Sequence, residues 1–159
     1  MRAPAVEIEI ASPLWTAEPG AETCVREAIV AAAARVPAEG DVSVLLTDDA
    51  AVRTLNRDWR GIDKPTNVLS FPGVKQPPGL PPVLGDIAIA YETLGCEADT
   101  EGKSVLHHLA HLVVHGYLHL MDYDHHTDSE AEAMEALERD ILLTLRIPDP
   151  YRTEATDPA

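Results

Sequence analysis

The chain of 159 residues carries a formal net charge of −15 at pH 7, and 45% of its residues are hydrophobic. This length suits a single domain that buries most of its apolar surface in one core. Taken alone, the acidity argues against a nucleic-acid partner, because such binding depends on neutralising phosphates, and we expect no DNA partner. No segment approaches the roughly 20 apolar residues of a membrane helix, and no leader peptide is apparent, so we expect a cytoplasmic protein without membrane contact.

The first half of the chain alternates predicted strands with predicted helices. Valine and isoleucine alternate with glutamate over residues 6–10, which predicts a strand with one solvent-exposed face. Residues 24–36 have an amphipathic pattern typical of a helix, and residues 42–46 predict a second strand. The polar residues 47–48 can cap a further helix, which Gly61 ends.

The middle of the chain contains two further predicted strands, 67–71 and 84–90. Between them, residues 72–82 hold five prolines and two glycines, too many for regular structure, so we expect an exposed loop. A short helix is predicted from Tyr91, with breaks near Gly95 and Gly102.

Two helices dominate the last third of the chain. The first is predicted over residues 104–121, and the second begins at Thr127 with a capping-box pattern and ends at Pro148. Strands interleaved with helices in this order predict an α+β fold around one mixed, four-stranded sheet. We expect a single domain over residues 1–150 and a flexible tail over residues 151–159.

All seven histidines of the chain lie between His107 and His126. His115 and His119 are four residues apart on a predicted helix, so their rings project from one face. His125 follows after an expected chain reversal and can complete a site with three ligands. Three neutral imidazoles favour zinc over magnesium or calcium, and they leave a fourth position open as catalytic zinc sites do. We therefore predict one Zn²⁺ per chain on these three histidines.

The spacing H-x3-H-x5-H matches the extended pattern of zinc peptidases with two departures. Gly116 stands where the peptidases carry the glutamate that acts as a general base, which counts against peptidase chemistry.

Asp122 stands where they carry a glycine. The helix must reverse there for His125 to approach the other ligands. We therefore expect a positive φ at Asp122, at a cost of about 1 kcal/mol, and no metal contact from its side chain. His111 lies one turn before His115 and could contact it.

The residues around the histidines resemble a known family. The run 115–125, HGYLHLMDYDH, is similar to the signature H-G-x-L-H-L-x-G-Y-D-H of the YbeY endoribonucleases. Ten of the eleven positions are compatible, and only Asp122 departs. Residues 56–61 together with 65–72, and the shorter run 85–87, resemble two further signatures and occur in the order that the family has.

The resemblance covers roughly residues 5–151 and implies a zincin-like α+β fold with zinc on His115, His119 and His125. It implies metal-dependent cleavage of single-stranded RNA. It also implies roles in maturing the 3′ end of small-subunit (16S) rRNA and in ribosome quality control, with the ribosomal small subunit or its associated proteins as partners. Arg60 stands where the family keeps a functionally important arginine, so the resemblance implies a catalytic role for Arg60.

A local cluster of basic residues fits an RNA substrate despite the overall acidity. Arg53, Arg57, Arg60 and Lys64 fall within twelve residues, and the three arginines are spaced along one helical face. A guanidinium near zinc can hold a phosphate through two hydrogen bonds and stabilise charge in the transition state. Arg53 and Arg57 equally fit ordinary solvated positions on a helix.

The sequence leaves three questions open. Asp86 and Asp124 are both candidates for the general base, and Asp124 could instead orient a ligand histidine. The nucleophile could be water or the neighbouring 2′-hydroxyl of the RNA. Two other functions also fit: a zinc hydrolase of another anionic substrate, and a non-catalytic ribosome-assembly module in which zinc braces the helix. An acidic surface would suit basic ribosomal proteins or a GTPase partner.

Overall fold

A computed structural model describes residues 4–151, which form the α+β fold expected from the sequence. The strands are β1 (Val6–Ile10), β2 (Asp41–Thr47), β3 (Val68–Pro72) and β4 (Val83–Ala90). The α-helices are α1 (Ala21–Arg35), α2 (Asp49–Arg60), α3 (Tyr91–Glu101), α4 (Val105–Leu120) and α5 (Asp128–Thr144). A short 3-10 helix, Pro13–Ala17, follows β1. No helix within the described residues is long and apolar enough to cross a membrane.

The four strands form one mixed sheet in the order β1-β2-β4-β3. β1, β2 and β4 run parallel, and β3 lies antiparallel to β4 at one edge. The last four residues of β4, 87–90, are all buried, as expected for a central strand that is covered on both faces. The mixed, four-stranded sheet predicted from the sequence is therefore confirmed.

Different helices cover the two faces of the sheet. On one face, alternate residues of β2 and β4, such as Val44 and Ile87, pack into the main core with α1 and α4. On the other face, Leu69 and Ala88 pack against Val52 of α2 in a smaller core. α5 packs against α1 and α4. α4, the helix that carries most of the histidines, contacts both β3 and β4.

Side-chain caps fix the starts of three helices. Asp48, and not Thr47, caps α2, while Ser104 caps α4 and Thr127 caps α5. Each side chain accepts a hydrogen bond from the backbone N–H three residues further on, at 2.9, 3.0 and 3.1 Å respectively. These contacts satisfy backbone donors that have no partner within the helix. The predicted starts of α4 and α5 are confirmed.

The start of α1 and the continuity of α3 differ from the sequence prediction. α1 begins at Ala21, three residues earlier than predicted. α3 continues through Gly95 without a break and ends at Gly102, which has a φ of 68°. A glycine within a helix costs about 1 kcal/mol. The helix accommodates it because the neighbouring Leu94 is fully buried and holds this turn against the core.

The C-terminal end of α5 also differs from the prediction. The helix ends before Pro148 because Arg146 adopts a left-handed conformation, with a φ of 61°, and reverses the chain. Of the predicted tail, the structure describes only Tyr151, whose hydroxyl donates a hydrogen bond to Glu138. Residues 152–159 lie outside the described part of the chain.

The reversal after α4 uses the conformation that the sequence predicts for Asp122. Its φ is 68°. The backbone N–H of Asp122 donates to the carbonyl of His119 at 3.1 Å, and that of Tyr123 donates to the carbonyl of Leu118 at 3.0 Å. These two bonds define the Schellman motif, which ends a helix by turning the chain back. The turn allows His125 to return towards the end of α4.

We expect Asp122→Gly to leave the free energy of unfolding unchanged or to raise it by up to about 1 kcal/mol. Glycine adopts a positive φ without strain, but the greater conformational entropy of its unfolded chain offsets part of that gain. Urea denaturation of the two proteins measures the difference. Arg146→Gly is a matched control, since Arg146 has a φ of 61° in the same type of helix end. A loss of more than about 1 kcal/mol at Asp122 alone would show that its side chain stabilises the turn.

Candidate metal centre

α4 and the reversal after it bring three histidine rings together. His115 and His119 lie one turn apart on α4, and their Nε2 atoms are 3.0 Å from each other. The ring centroid of His125 lies 5.8 Å from that of His115 and 5.3 Å from that of His119. One potential ligand atom from each ring lies within 4.8 Å of the other two, so the three residues form a possible metal site.

The donor set of this possible site suits zinc. Two nitrogens bound to a tetrahedral zinc, at about 2.0–2.1 Å each, stand about 3.3 Å apart. The separation of 3.0 Å between the two Nε2 atoms is close to that value. The Nδ1 of His115 lies 3.0 Å from Oε2 of Glu138, and donation of its proton there leaves Nε2 with a free lone pair that faces His119. Magnesium and calcium, by contrast, take oxygen ligands.

The surroundings of His119 favour its neutral form. Burial lowers the pKa of His119, and positive charge on His115 and His125 lowers it further. The charge of Asp124 and a hydrogen bond with the backbone of Tyr123 act in the opposite direction. Histidine binds metals as the neutral imidazole. The lowered pKa therefore favours the form of His119 that can be a ligand.

A buried carboxylate lies directly behind the histidines. Glu138 of α5 is fully buried, and its Oε2 accepts hydrogen bonds from Nε2 of His111 at 2.9 Å and Nδ1 of His115 at 3.0 Å. Its Oε1 accepts a hydrogen bond from the hydroxyl of Tyr151. Burial alone would raise the pKa of Glu138, but the hydrogen bonds from the two histidines outweigh it and lower the pKa to about 2. The carboxylate is therefore ionised at neutral pH, and it is the acceptor in all three contacts.

The sequence analysis missed Glu138, although a signal for it was present. Glu138 follows Met134 by four residues and precedes Ile141 by three, so it lies on the apolar face of α5. A glutamate is almost never fully buried unless it is paired. The pattern thus indicates a buried partner for Glu138. It does not indicate which residues supply that partner, because they belong to another helix.

The other histidines of α4 differ from the three in their contacts. His108 is buried, and its Nε2 lies 2.8 Å from a carboxylate oxygen of α3. The ring of His111 meets that of His115 edge-on, with the centroids 6.3 Å apart. The sequence suggested a contact between these two residues, and the rings do meet, but Nε2 of His111 forms its hydrogen bonds with Glu138 and, at 3.3 Å, with the hydroxyl of Tyr151. The two remaining histidines, His107 and His126, are exposed.

The glycine after His115 packs against the sheet. Gly116 is buried, and a Cβ at this position would lie 3.0 Å from Oγ of Ser70 and 3.1 Å from Cγ2 of Ile87. The hydroxyl of Ser70 also donates a hydrogen bond to the carbonyl of Gly116 at 3.1 Å. A larger residue here would require the side chains of Ser70 and Ile87 to shift. The structure therefore gives a packing reason for the departure from the peptidase pattern.

Arg60 is the exposed last residue of α2, the helix on the sheet face opposite α4. Arg53 forms two hydrogen bonds with Asp63, and Arg57 pairs with Asp58. Among residues 4–151, Arg60 forms no ion pair with a carboxylate. Of these three arginines, Arg60 is the one whose charge is not offset by a neighbouring carboxylate.

The two aspartates considered as general bases lie in different environments. Asp86 lies two residues before Ala88 on β4, and side chains two residues apart on a strand point to the same face. Asp86 therefore lies on the sheet face that α2 packs against and points away from α4. Asp124 lies next to His125, and its Oδ1 accepts a hydrogen bond from the backbone N–H of His125 at 2.8 Å. Its Oδ2 lies 2.8 Å from Nε2 of His126. Asp124 thus holds the backbone of the segment that carries His125.

Known proteins share this sequence over most of its length. Residues 14–146 match the family model described as Endoribonuclease YbeY. The chain is 59% identical over 155 residues to endoribonuclease YbeY of Rhodopseudomonas palustris (strain BisA53), with 93% of this chain and 90% of the relative covered. It is 57% identical over 157 residues to endoribonuclease YbeY of Bradyrhizobium sp. (strain BTAi1), with 93% and 92% covered. The solution structure of TM1509 from Thermotoga maritima has a similar fold, with a TM-score of 0.57 and 22% identity over 92% of this chain and 99% of that one. The chain therefore belongs to the endoribonuclease YbeY family.

Proposed function

We propose that this protein is a zinc-dependent endoribonuclease that cuts single-stranded RNA. Its proposed role is maturation of the 3′ end of 16S rRNA, together with ribosome quality control. The observation that supports this proposal best is the convergence of three histidine nitrogens within 4.8 Å, in a chain whose relatives are named endoribonucleases. Because the proposed substrate is made in the cytoplasm, we place the protein there.

In this proposal, His115, His119 and His125 hold one zinc ion and leave a fourth position open. A zinc ion at this point supplies a Lewis acid that offsets charge on a phosphate and lowers the pKa of water towards about 7. Glu138 already accepts three hydrogen bonds, so it is poorly suited to take a proton from the nucleophile. Water and the neighbouring 2′-hydroxyl are both possible nucleophiles. Attack by the 2′-hydroxyl leaves a 2′,3′-cyclic phosphate, so analysis of the product ends distinguishes the two.

Arg60 is the proposed phosphate-binding residue. Its guanidinium is exposed and free of the carboxylate partners that Arg53 and Arg57 have. A planar guanidinium can form two hydrogen bonds with one phosphate and so offset the charge that builds on it during cleavage. Because α2 and α4 lie on opposite faces of the sheet, RNA that reaches both would pass around the edge of the sheet.

The proposed protein partners are the ribosomal small subunit or its associated proteins. The open face of the sheet beside α2 forms a groove of about 900 Å³. Glu7, Glu9 and Asp86 line this groove with a single cation, Arg26, so the charges around it are mainly negative. The apolar Leu45 and the largely exposed Trp59 also line it. The three carboxylates would repel RNA phosphates, whereas they would attract a basic protein surface with apolar side chains.

The first test of the proposal is the metal content. Purified protein should contain about one zinc per chain, and His119→Ala should lose most of it, because the two remaining ligands hold the ion weakly. Elemental analysis measures both. His126→Ala is a matched control, since His126 is exposed and outside the group of three ligands. Full zinc content in His119→Ala would contradict the assignment.

The second test is RNA cleavage. We expect the zinc-loaded protein to cut single-stranded RNA, and we expect a chelator or His115→Ala to abolish the activity because the Lewis acid is lost. The same strand in a duplex should remain intact. If the zinc-loaded protein leaves every RNA intact, the result favours a hydrolase of another anionic substrate or a non-catalytic assembly module.

The third test concerns Arg60. We expect Arg60→Ala to retain zinc and folding and to slow cleavage by roughly ten- to a thousand-fold, the range for loss of one transition-state donor. Arg60→Lys should recover part of the rate, since an ammonium cannot form the planar pair of hydrogen bonds. Arg53→Ala is the control, because Asp63 already offsets the charge of Arg53. Cleavage at the wild-type rate by Arg60→Ala would place Arg60 among the ordinary surface charges.

A further inference from the structure

Histidine spacing alone does not determine which residues of α4 hold a metal. His107, His111, His115 and His119 are spaced by four residues, so α4 offers three successive pairs that lie one turn apart. Any such pair has the spacing with which helices present two zinc ligands. Yet the structure groups only His115 and His119 with His125 among the described residues. His125 lies beside His115 and His119, and a second feature outside α4 also distinguishes this pair from the one that begins at His111.

That feature is the position of one carboxylate oxygen. Oε2 of Glu138 accepts hydrogen bonds from Nε2 of His111 and from Nδ1 of His115, at 2.9 and 3.0 Å. The two rings thus meet the same oxygen through different nitrogens. His115 keeps its Nε2 free and directed at His119, 3.0 Å away. His111 has its Nε2 occupied, and its Nδ1 is buried, with no hydrogen-bond partner among the described residues.

We propose that Glu138 is a positioning residue that selects His115 and His119, and excludes His111, as metal ligands. Oε2 of Glu138 faces one nitrogen of each ring while Oε1 accepts from Tyr151, and as a carboxylate oxygen it accepts a hydrogen bond from each ring N–H. This arrangement puts the proton of His115 on Nδ1 and the proton of His111 on Nε2. Nε2 of His115 is then a lone-pair donor, whereas Nε2 of His111 is blocked. The exclusion of His111 also helps to leave the fourth position of the metal open.

The surroundings of Glu138 keep the oxygen in place. The side chain is fully buried on α5, so its orientation is fixed by packing. The hydroxyl of Tyr151 donates a hydrogen bond to Oε1, so Oε2 is left for the two histidines. A ligand histidine whose second nitrogen bonds a carboxylate is more basic and better oriented, and loss of such a partner typically weakens metal binding by about 10- to 100-fold.

A second pair in the chain provides a matched control. Glu97 of α3 contacts His108 of α4, with Oε1 2.8 Å from Nε2. This pair also joins a carboxylate to a histidine of α4, although Glu97 is more exposed than Glu138 and also accepts hydrogen bonds from Asn67, and His108 is not among the three grouped histidines. A general effect of removing a carboxylate behind α4 would therefore appear in Glu97→Gln as well as in Glu138→Gln. An effect on ligand selection would appear in Glu138→Gln alone.

The inference rests on the proposed zinc site, and the experiment separates the two. Zinc affinity is measured by competition with a chelator for wild type, Glu138→Gln, Glu138→Leu and Glu97→Gln, with circular dichroism of each zinc-free protein to establish folding. We expect binding to weaken by about 10- to 100-fold in Glu138→Gln, and further in Glu138→Leu, with Glu97→Gln close to wild type. The absorption spectrum of the cobalt-substituted protein should change in the two Glu138 variants. Wild-type protein that binds no zinc would contradict the metal site itself.

Nitrogen NMR of the imidazole rings in wild-type protein tests the inference without any variant, and it applies even if the Glu138 variants do not fold. We expect the proton of His115 on Nδ1 and that of His111 on Nε2, with and without zinc. The inference is overturned if His111 binds the metal, or if His115 carries its proton on Nε2. It is equally overturned if Glu138→Gln binds zinc with unchanged affinity and an unchanged cobalt spectrum, or if Glu97→Gln weakens binding as much.

Discussion

The approach of three imidazole rings to one point is the constraint on which the rest of this structure depends. A straight helix can supply two of the rings, because residues four apart share a face. It cannot supply the third from six residues further on unless the chain reverses. The left-handed conformation of Asp122 provides that reversal, and Asp124 then holds the backbone of His125. The strain at one residue is thus tied directly to the geometry of the possible metal site.

The features that the sequence predicts are those set by local periodicity and spacing. Alternation in β1, the caps at Ser104 and Thr127, and the positive φ of Asp122 all depend on residues close together in the chain, and each is confirmed. The mixed sheet follows from the order of strands and helices. The pairing of His115 with His119 follows from a spacing of four.

The features that the sequence does not predict depend on contacts between distant segments. Gly95 continues α3 because the adjacent turn is packed into the core, which local propensity does not reveal. The position of Glu138 behind His115 depends on how α5 docks on α4, over a separation of 23 residues. Arg146 ends α5 although its residue type does not favour a positive φ. In each case tertiary packing determines what the local pattern leaves open.

Charge is organised in this molecule so that an acidic chain keeps a few sites suited to phosphate. Two of the arginines on α2 pair with Asp63 and Asp58, whereas Arg60 has no such partner within residues 4–151. At the possible metal site, Glu138 contributes one negative charge that is buried behind the ligands. A divalent ion on three neutral imidazoles beside that carboxylate would retain a net charge of about +1. The proposed centre would therefore still attract an anionic substrate despite the net charge of −15.

The same packing that forms the site also limits its chemistry. α4 approaches β3 and β4 so closely at Gly116 that a Cβ would lie 3.0 Å from Ser70 and 3.1 Å from Ile87. A side chain at this position would have to displace those of Ser70 and Ile87, so the packing disfavours the glutamate that zinc peptidases use there as a general base. The buried carboxylate that the structure does provide, Glu138, orients the rings from behind and is saturated with hydrogen bonds. The proton acceptor for a reaction at this centre is therefore left to Asp124 beside His125, to the substrate or to solvent. A phosphate oxygen of an RNA substrate could accept such a proton, whereas its 2′-hydroxyl would give one up as the nucleophile.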